Sequence, residues 1–151
     1  LEHLPQRFRK DPAIVTHCVG QDGVALKYAE HVTREIILLA VRTTGDALSF
    51  IKKSYQDREL VMAAVKSDPM ALEHADDSYR KNQDIVMVAA SLNKDSLKFC
   101  DPSLRGDPQA WRDIILAACR GRTPDALDLA PEFSDDDDIV RSAIEGCGAN
   151  F

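Results

Sequence analysis

Asp57-Arg58-Glu59-Leu60-Val61-Met62-Ala63-Ala64-Val65-Lys66 is the stretch whose reading decides the fold. Asp57 suits a helix N-cap, because its carboxylate can accept from a backbone N–H that the first turn leaves unpaired. Glu59 places negative charge near the positive end of the same helix. Leu60, Val61, Ala64 and Val65 then share one side of the helix, spanning roughly 140° at 100° per residue. Pro69 ends the pattern, and Met70, Ala71, Leu72, His74 and Ala75 form a second, shorter helical pattern.

The apolar core of this stretch returns five more times. The other copies read Ile14-Val15-x-x-Cys18-Val19, Ile36-Ile37-x-x-Ala40-Val41, Ile85-Val86-x-x-Ala89-Ala90, Ile114-Ile115-x-x-Ala118-Cys119 and Ile139-Val140-x-x-Ala143-Ile144. The steps between first residues, taken in chain order, are 22, 24, 25, 29 and 25. Near-constant spacing in this range is the mark of stacked supersecondary units. Three residues ahead of the core stands a cap: Asp11, Thr33, Asp57, Asn82 and Asp136. The residues read as ending the first helix are Gly23, Gly45, Pro69 and Gly148. The second helix has its own signature of small residue, Leu, any residue, bulky residue, small residue. It runs Ala25-Leu26-x-Tyr28-Ala29, Ala47-Leu48-x-Phe50-Ile51, Ala71-Leu72-x-His74-Ala75, Ser96-Leu97-x-Phe99-Cys100 and Ala126-Leu127-x-Leu129-Ala130.

In the fifth copy Trp111 stands where the cap should be. Asp107-Pro108, four residues earlier, supplies the replacement, and four residues add about one helical turn. The first helix of that copy is therefore expected to be one turn longer, with Trp111 on the added turn, packed locally or offered to a partner. The chain opens on Leu1-Glu2-His3, which precedes Asp11 as Leu72-Glu73-His74 precedes Asn82, and closes with Phe151 at the Leu72 position. Both ends thus read as cutting through a copy, as in a window on a longer array.

Composition narrows the function classes. The net charge is −6 with a pI near 5.1, which argues against broad phosphate-backbone binding and so against nucleic acid. No apolar stretch approaches the ~20 residues of a membrane span. Cys18, Cys119 and Cys100 stand where other copies hold Ala64, Val65 and Ala75, so they read as small buried apolar groups in a reducing compartment. Cys147 completes the set, and nothing in their spacing points to a metal. His3 and His74 share the bulky slot of the second helix, while His17 lies on an outer face beside Cys18. None of these has the base and orienting group that a nucleophile needs. The reading is therefore of no catalytic, cofactor-binding or metal-ligating residues.

The candidates that remain are for partner binding. Arg42, Lys66 and Arg120 occupy one position, directly after the apolar core. In a stacked array they would align as a basic row offering contact to an acidic peptide or head group; equally, cations there favour the helix C-terminus. Trp111 is the fourth candidate. Lys27, Lys98, Glu73 and Asp128 share a second-helix position and alternate in sign, as a solvated face does.

The unit D-x-E-hydrophobic-V-x-x-A-V-K, followed by A-L-x-hydrophobic-A and S-hydrophobic-R-x-D, resembles the helical repeats of domain of unknown function 4116. Asp57 to Lys66 carries the resemblance best, and looser versions such as Ala40-Val41-Arg42 and Ala118-Cys119-Arg120 extend it over nearly the whole chain. The resemblance implies an accessory helical array with no established chemistry, and it carries no catalytic residue over.

The expectation is an all-α fold of tandem short helix pairs, about 25 residues each, forming an α-solenoid or curved array. One domain is expected over 1–151, with copies beginning near 11, 33, 57, 82, 107 and 136. The expected role is a non-enzymatic protein-interaction scaffold with a protein partner. The alternatives are a structural accessory subunit or linker in a large assembly, or a regulatory domain of a larger enzyme or bacterial effector.

Overall fold

In the computed structural model, residues 1–121 and 123–148 are described, and among them every regular element is helical. Contacts divide the chain into two compact units, Leu1–Asp76 and Asp77–Phe151.

The first unit holds α1 (Gln6–Arg9), α2 (Pro12–Gln21), the 3-10 helix η1 (Gly23–Tyr28), α3 (Arg34–Thr43), η2 (Gly45–Phe50), η3 (Lys53–Tyr55), α4 (Arg58–Ser67) and η4 (Pro69–His74). In it α2 packs on α3 and α3 on α4, while η1 packs on η2 and η2 on η4. The second unit holds α5 (Asp77–Arg80), α6 (Gln83–Leu92), η5 (Lys94–Phe99), α7 (Pro102–Gly106), α8 (Pro108–Arg120), η6 (Pro124–Leu129), η7 (Pro131–Phe133) and α9 (Asp137–Gly148). There α8 packs on both α6 and α9, and η6 on α8 and α9.

The caps form as the sequence indicates. Asp11, Thr33, Asp57, Asn82 and Asp136 each accept from a backbone N–H of the following turn. Asp107 accepts from Gln109 and Ala110, so α8 has 13 residues where α2, α3, α4 and α6 have 10. Behind the caps the apolar positions close into core. Leu48, Leu60 and Leu72 in the first unit, and Ile85, Leu97, Ile114 and Ile115 in the second, are buried to within 2%.

The second element of the first five copies departs from expectation, since it is a six-residue 3-10 helix. With three residues per turn, side chains at i and i+3 lie in one stripe. The buried pairs have that spacing: Leu48 with Ile51, Leu72 with Ala75, Leu97 with Cys100. Six residues also reach about 12 Å at the 3-10 rise, against about 9 Å at the α rise, so a short segment covers more of its neighbour. The bulky slot lies nearer the surface: Phe50 and Leu129 are exposed, at 40% and 45%, and Tyr28, His74 and Phe99 are half-buried.

Nor do Gly23, Gly45 and Pro69 end the first helix. The residue before each one does, in extended conformation with ψ near 110°. Asp22 and Asp68 close an α-helix with their own N–H and open the 3-10 helix by accepting, at 2.9 Å, from Val24 and Met70. Asn93 does the same with Asp95. One residue thus serves as both caps. Gly23 is there because of space rather than a left-handed φ, which no described glycine adopts. A Cβ on Gly23 would lie 2.2 Å from the carbonyl oxygen of Ala40 on the next α-helix.

The first copy's opening also differs. Leu1–His3 make only a turn, closed by the Leu4 N–H on the Leu1 carbonyl, because three residues can close one such bond and no more. The parts read for Cys147 and Phe151 lie outside what is described, and Gly148 is the last described residue of α9.

Charged side chains fix neighbouring α-helices at their N-termini. Arg34 reaches Asp57 at 2.7 Å and Glu59 at 2.8 Å. Arg112 repeats the arrangement in the second unit, with Asp136 at 2.6 Å and Asp138 at 3.0 Å. Arg112 is the main cause holding the Asp136 carboxyl below the usual range, aided by the backbone N–H groups of Ile139 and Asp138. Its folded-state pKa is thus below its unfolded value. The contribution to stability is complete above the ordinary Asp value of about 3.9 and is lost as pH falls through the lower folded one. Carboxyl NMR titration should therefore find Asp136 below the usual range in the native chain and returned toward it in Arg112→Gln. An unchanged Asp136 titration would refute the pairing.

Candidate functional site

Outside the core, the first unit presents a hollow of about 440 Å³ lined by Leu26, Lys27, Ala29, Val32, Ile37, Phe50, Ile51, Lys52 and Tyr55. Residues of η1, α3, η2 and η3 and of their connectors supply it. Leu26 and Ile51 turn in as a buried floor, while Phe50, two residues beyond Leu48, turns out to the rim. Val32 arrives from the connector between η1 and α3, and Tyr55 ends η3. Val32, Phe50 and Tyr55 are 39%, 40% and 71% exposed. The Lys27 ammonium lies 5.5 Å from the ring centre of Tyr28 and 6.0 Å from that of Phe50. Both charged residues of the lining are lysines, and among the described residues neither is paired with a carboxylate. Single apolar residues scattered over a surface are ordinary, whereas Val32, Phe50 and Tyr55 line one hollow together.

Sequence reasoning missed this site. Lys27 was absorbed into a row of alternating sign, and Phe50 into the packing slot. No spacing signal gives Phe50 away, because Ala47, three residues before it and in the same 3-10 stripe, is fully buried.

The residues singled out from sequence fall elsewhere. Arg42 and Lys66 do come together, lining a hollow of about 420 Å³ with Glu59, Met62, Ala63 and Ser67. Glu59 sits among them, 4.0 Å from Arg42 and 2.8 Å from Arg34, so the basic character is largely answered from within. Arg120 is the exposed last residue of α8, in the second unit. Trp111 is 4% exposed; its indole N–H donates to Glu132 at 3.1 Å and the Arg105 guanidinium stacks over its ring at 5.1 Å. That placement leaves almost no surface of Trp111 for a partner.

The cysteines differ among themselves. Cys100 and Cys119 are buried, and burial is the main cause pushing the Cys100 thiol up, against the lowering influence of Arg105. A thiol held protonated is a poor nucleophile. Cys18 is half-buried instead. His17 and His31 are exposed, and His74 lies 3.8 Å from Asp46. Among the described residues no cluster of His, Cys, Asp or Glu has metal-binding geometry, and no helix is long and apolar enough to cross a membrane.

Residues 57–105 match the family model described as Domain of unknown function (DUF4116). The match opens on the cap of α4 and runs into α7, taking in two successive α and 3-10 pairs. No curated protein and no solved structure matches the chain.

Proposed function

We propose that the chain is a non-enzymatic protein-interaction scaffold, built from helical repeats that stack as an α-solenoid. The six-fold recurrence of one apolar core supports the repeat reading, and so does the packing of successive α-helices within each unit. Repeats keep their inward positions for one another and leave outward positions free to vary. The observation that carries the functional reading is the hollow bounded by Val32, Phe50 and Tyr55, apolar surface that the core does not need.

The test is association that depends on that surface. The native chain and the double variant Phe50→Ala/Tyr55→Ala are immobilised and challenged with extract of the source cells. A protein retained by the first and not the second is then purified and its affinity measured. Micromolar or tighter binding, about −8 kcal/mol or more favourable, is expected for the native chain. Absence of any partner that distinguishes the two chains would overturn the reading. A second reading, a fixed accessory subunit, draws on α9, where Ile144 is 67% exposed beside Val140. It is favoured if the partner is instead lost on Ile144→Ser.

A further inference from the structure

We infer that the Phe50–Tyr55 hollow docks a short peptide segment of a partner protein, one that carries a large apolar side chain flanked by carboxylates. This deepens the scaffold reading and rests on it. The shape of the site asks for the apolar anchor: Leu26, Ile37 and Ile51 form the floor, and the exposed Phe50 and Tyr55 stand at the rim. A side chain entering there covers surface already out of the core, so docking needs no rearrangement of the unit.

The charge asks for the carboxylates. The chain carries a net −6, and its cations in the first unit are largely answered: Arg9 and Lys10 by Glu30, Arg34 by Asp57 and Glu59, Arg42 by Glu59. Arg7, Lys27, Lys52 and Lys66 have no carboxylate partner among the described residues, and of these only Lys27 and Lys52 line the hollow whose lining is otherwise apolar and aromatic. Lys27 is already held over the rings of Tyr28 and Phe50, so its charge is positioned at the mouth of the hollow. An ammonium beside apolar surface gains more from an incoming carboxylate than one in open water, because docking excludes solvent around both. The Arg42–Lys66 hollow lacks this asymmetry, since Glu59 opposes an anion there. Two lysines on an acidic chain also make too small a footprint for a nucleic acid backbone.

An unbiased peptide library is panned on the native chain and, in parallel, on Phe50→Ala/Tyr55→Ala. The expected winners carry an aromatic or large aliphatic residue within a few positions of two or more Asp or Glu, and they are lost on the double variant. Their affinity, read by fluorescence anisotropy, should fall about tenfold on Lys27→Glu/Lys52→Glu, as two partly exposed charge pairs warrant. Peptides with their acids changed to lysine should gain on that variant. Both lysines are exposed, so an unchanged melting curve will show that the fold is kept. Groove-dependent peptides without acidic preference would overturn the partner chemistry and leave the scaffold reading standing. Peptides that bind both chains equally would overturn the location alone. Self-association abolished by Phe50→Ala would make a second copy the occupant and so overturn the inference. Failure to enrich any peptide, together with no partner in the extract, would overturn both readings.

Discussion

Leu72→Ala should destabilise the chain by about 2–5 kcal/mol, the range for removing a fully buried leucine side chain and leaving the space behind it. Leu72 lies in the middle of η4 with no exposed surface, where η4 packs on both α4 and η2. Short helices of six and ten residues do not persist alone in water, so the loss is not confined to one element. Urea unfolding followed by circular dichroism is the measurement. With a slope of about 1–3 kcal/mol per molar, the midpoint of the transition that reports the first unit should drop by roughly 1–3 M. A drop worth less than about 1 kcal/mol would mean that the neighbours collapse into the space or that the segment is not packed as described.

Gly23→Ala is the second large effect, and its sign is opposite to what helix propensity suggests. A Cβ at Gly23 would meet the Ala40 carbonyl oxygen at 2.2 Å, its carbonyl carbon at 3.0 Å and the Thr44 Cβ at 3.0 Å. The first two are backbone atoms in the last turns of α3 and cannot swing aside as a side chain would. The Gly23 N–H also donates to the Thr44 hydroxyl at 3.2 Å, a bond that depends on the same close approach. The expected cost is about 1–3 kcal/mol, the range for overpacking a filled site, read as a lower melting temperature. Gly20→Ala supplies the contrast, since its Cβ would stand 3.8 Å from a Leu39 methyl, an ordinary contact. There the lower entropy of the unfolded alanine chain should raise stability by about 0.5–1 kcal/mol. Equal effects from the two substitutions would refute the account of Gly23.

The α-helices were legible because their signals are local and redundant. Each has an acceptor side chain at the cap and an apolar face at helical spacing, and even the displaced start of α8 could be located from Asp107-Pro108. The 3-10 elements were not. Six residues make only two turns, and an i, i+3 apolar pair suits a period of 3.6 as well as 3.0, while the extended break at Asp22 or Asp68 carries no composition signal distinct from a cap. Gln56 shows another limit. It is 8% exposed, its side chain donates to the carbonyls of Ile51 and His74, and its amide oxygen accepts from the Asp76 N–H at 2.8 Å. In two other copies a backbone carbonyl does the accepting, Arg9 for Glu30 and Arg80 for Asp101. A glutamine side chain standing in for a peptide carbonyl cannot be read from residue types alone. The candidate site was missed for a related reason, since it depends on which way Phe50 turns.

The single-residue joints at Asp22, Thr44, Asp68 and Asn93 allow no slack, whereas the return connectors range from three residues at 30–32 to six at 76–81. These four joints leave no room for a change of length, but the connectors do. An inserted residue at Asp68 would turn η4 out of register with α4 and η2, on which it packs. Engineered tags and spectroscopic labels should therefore be tolerated better within these connectors than at the four joints.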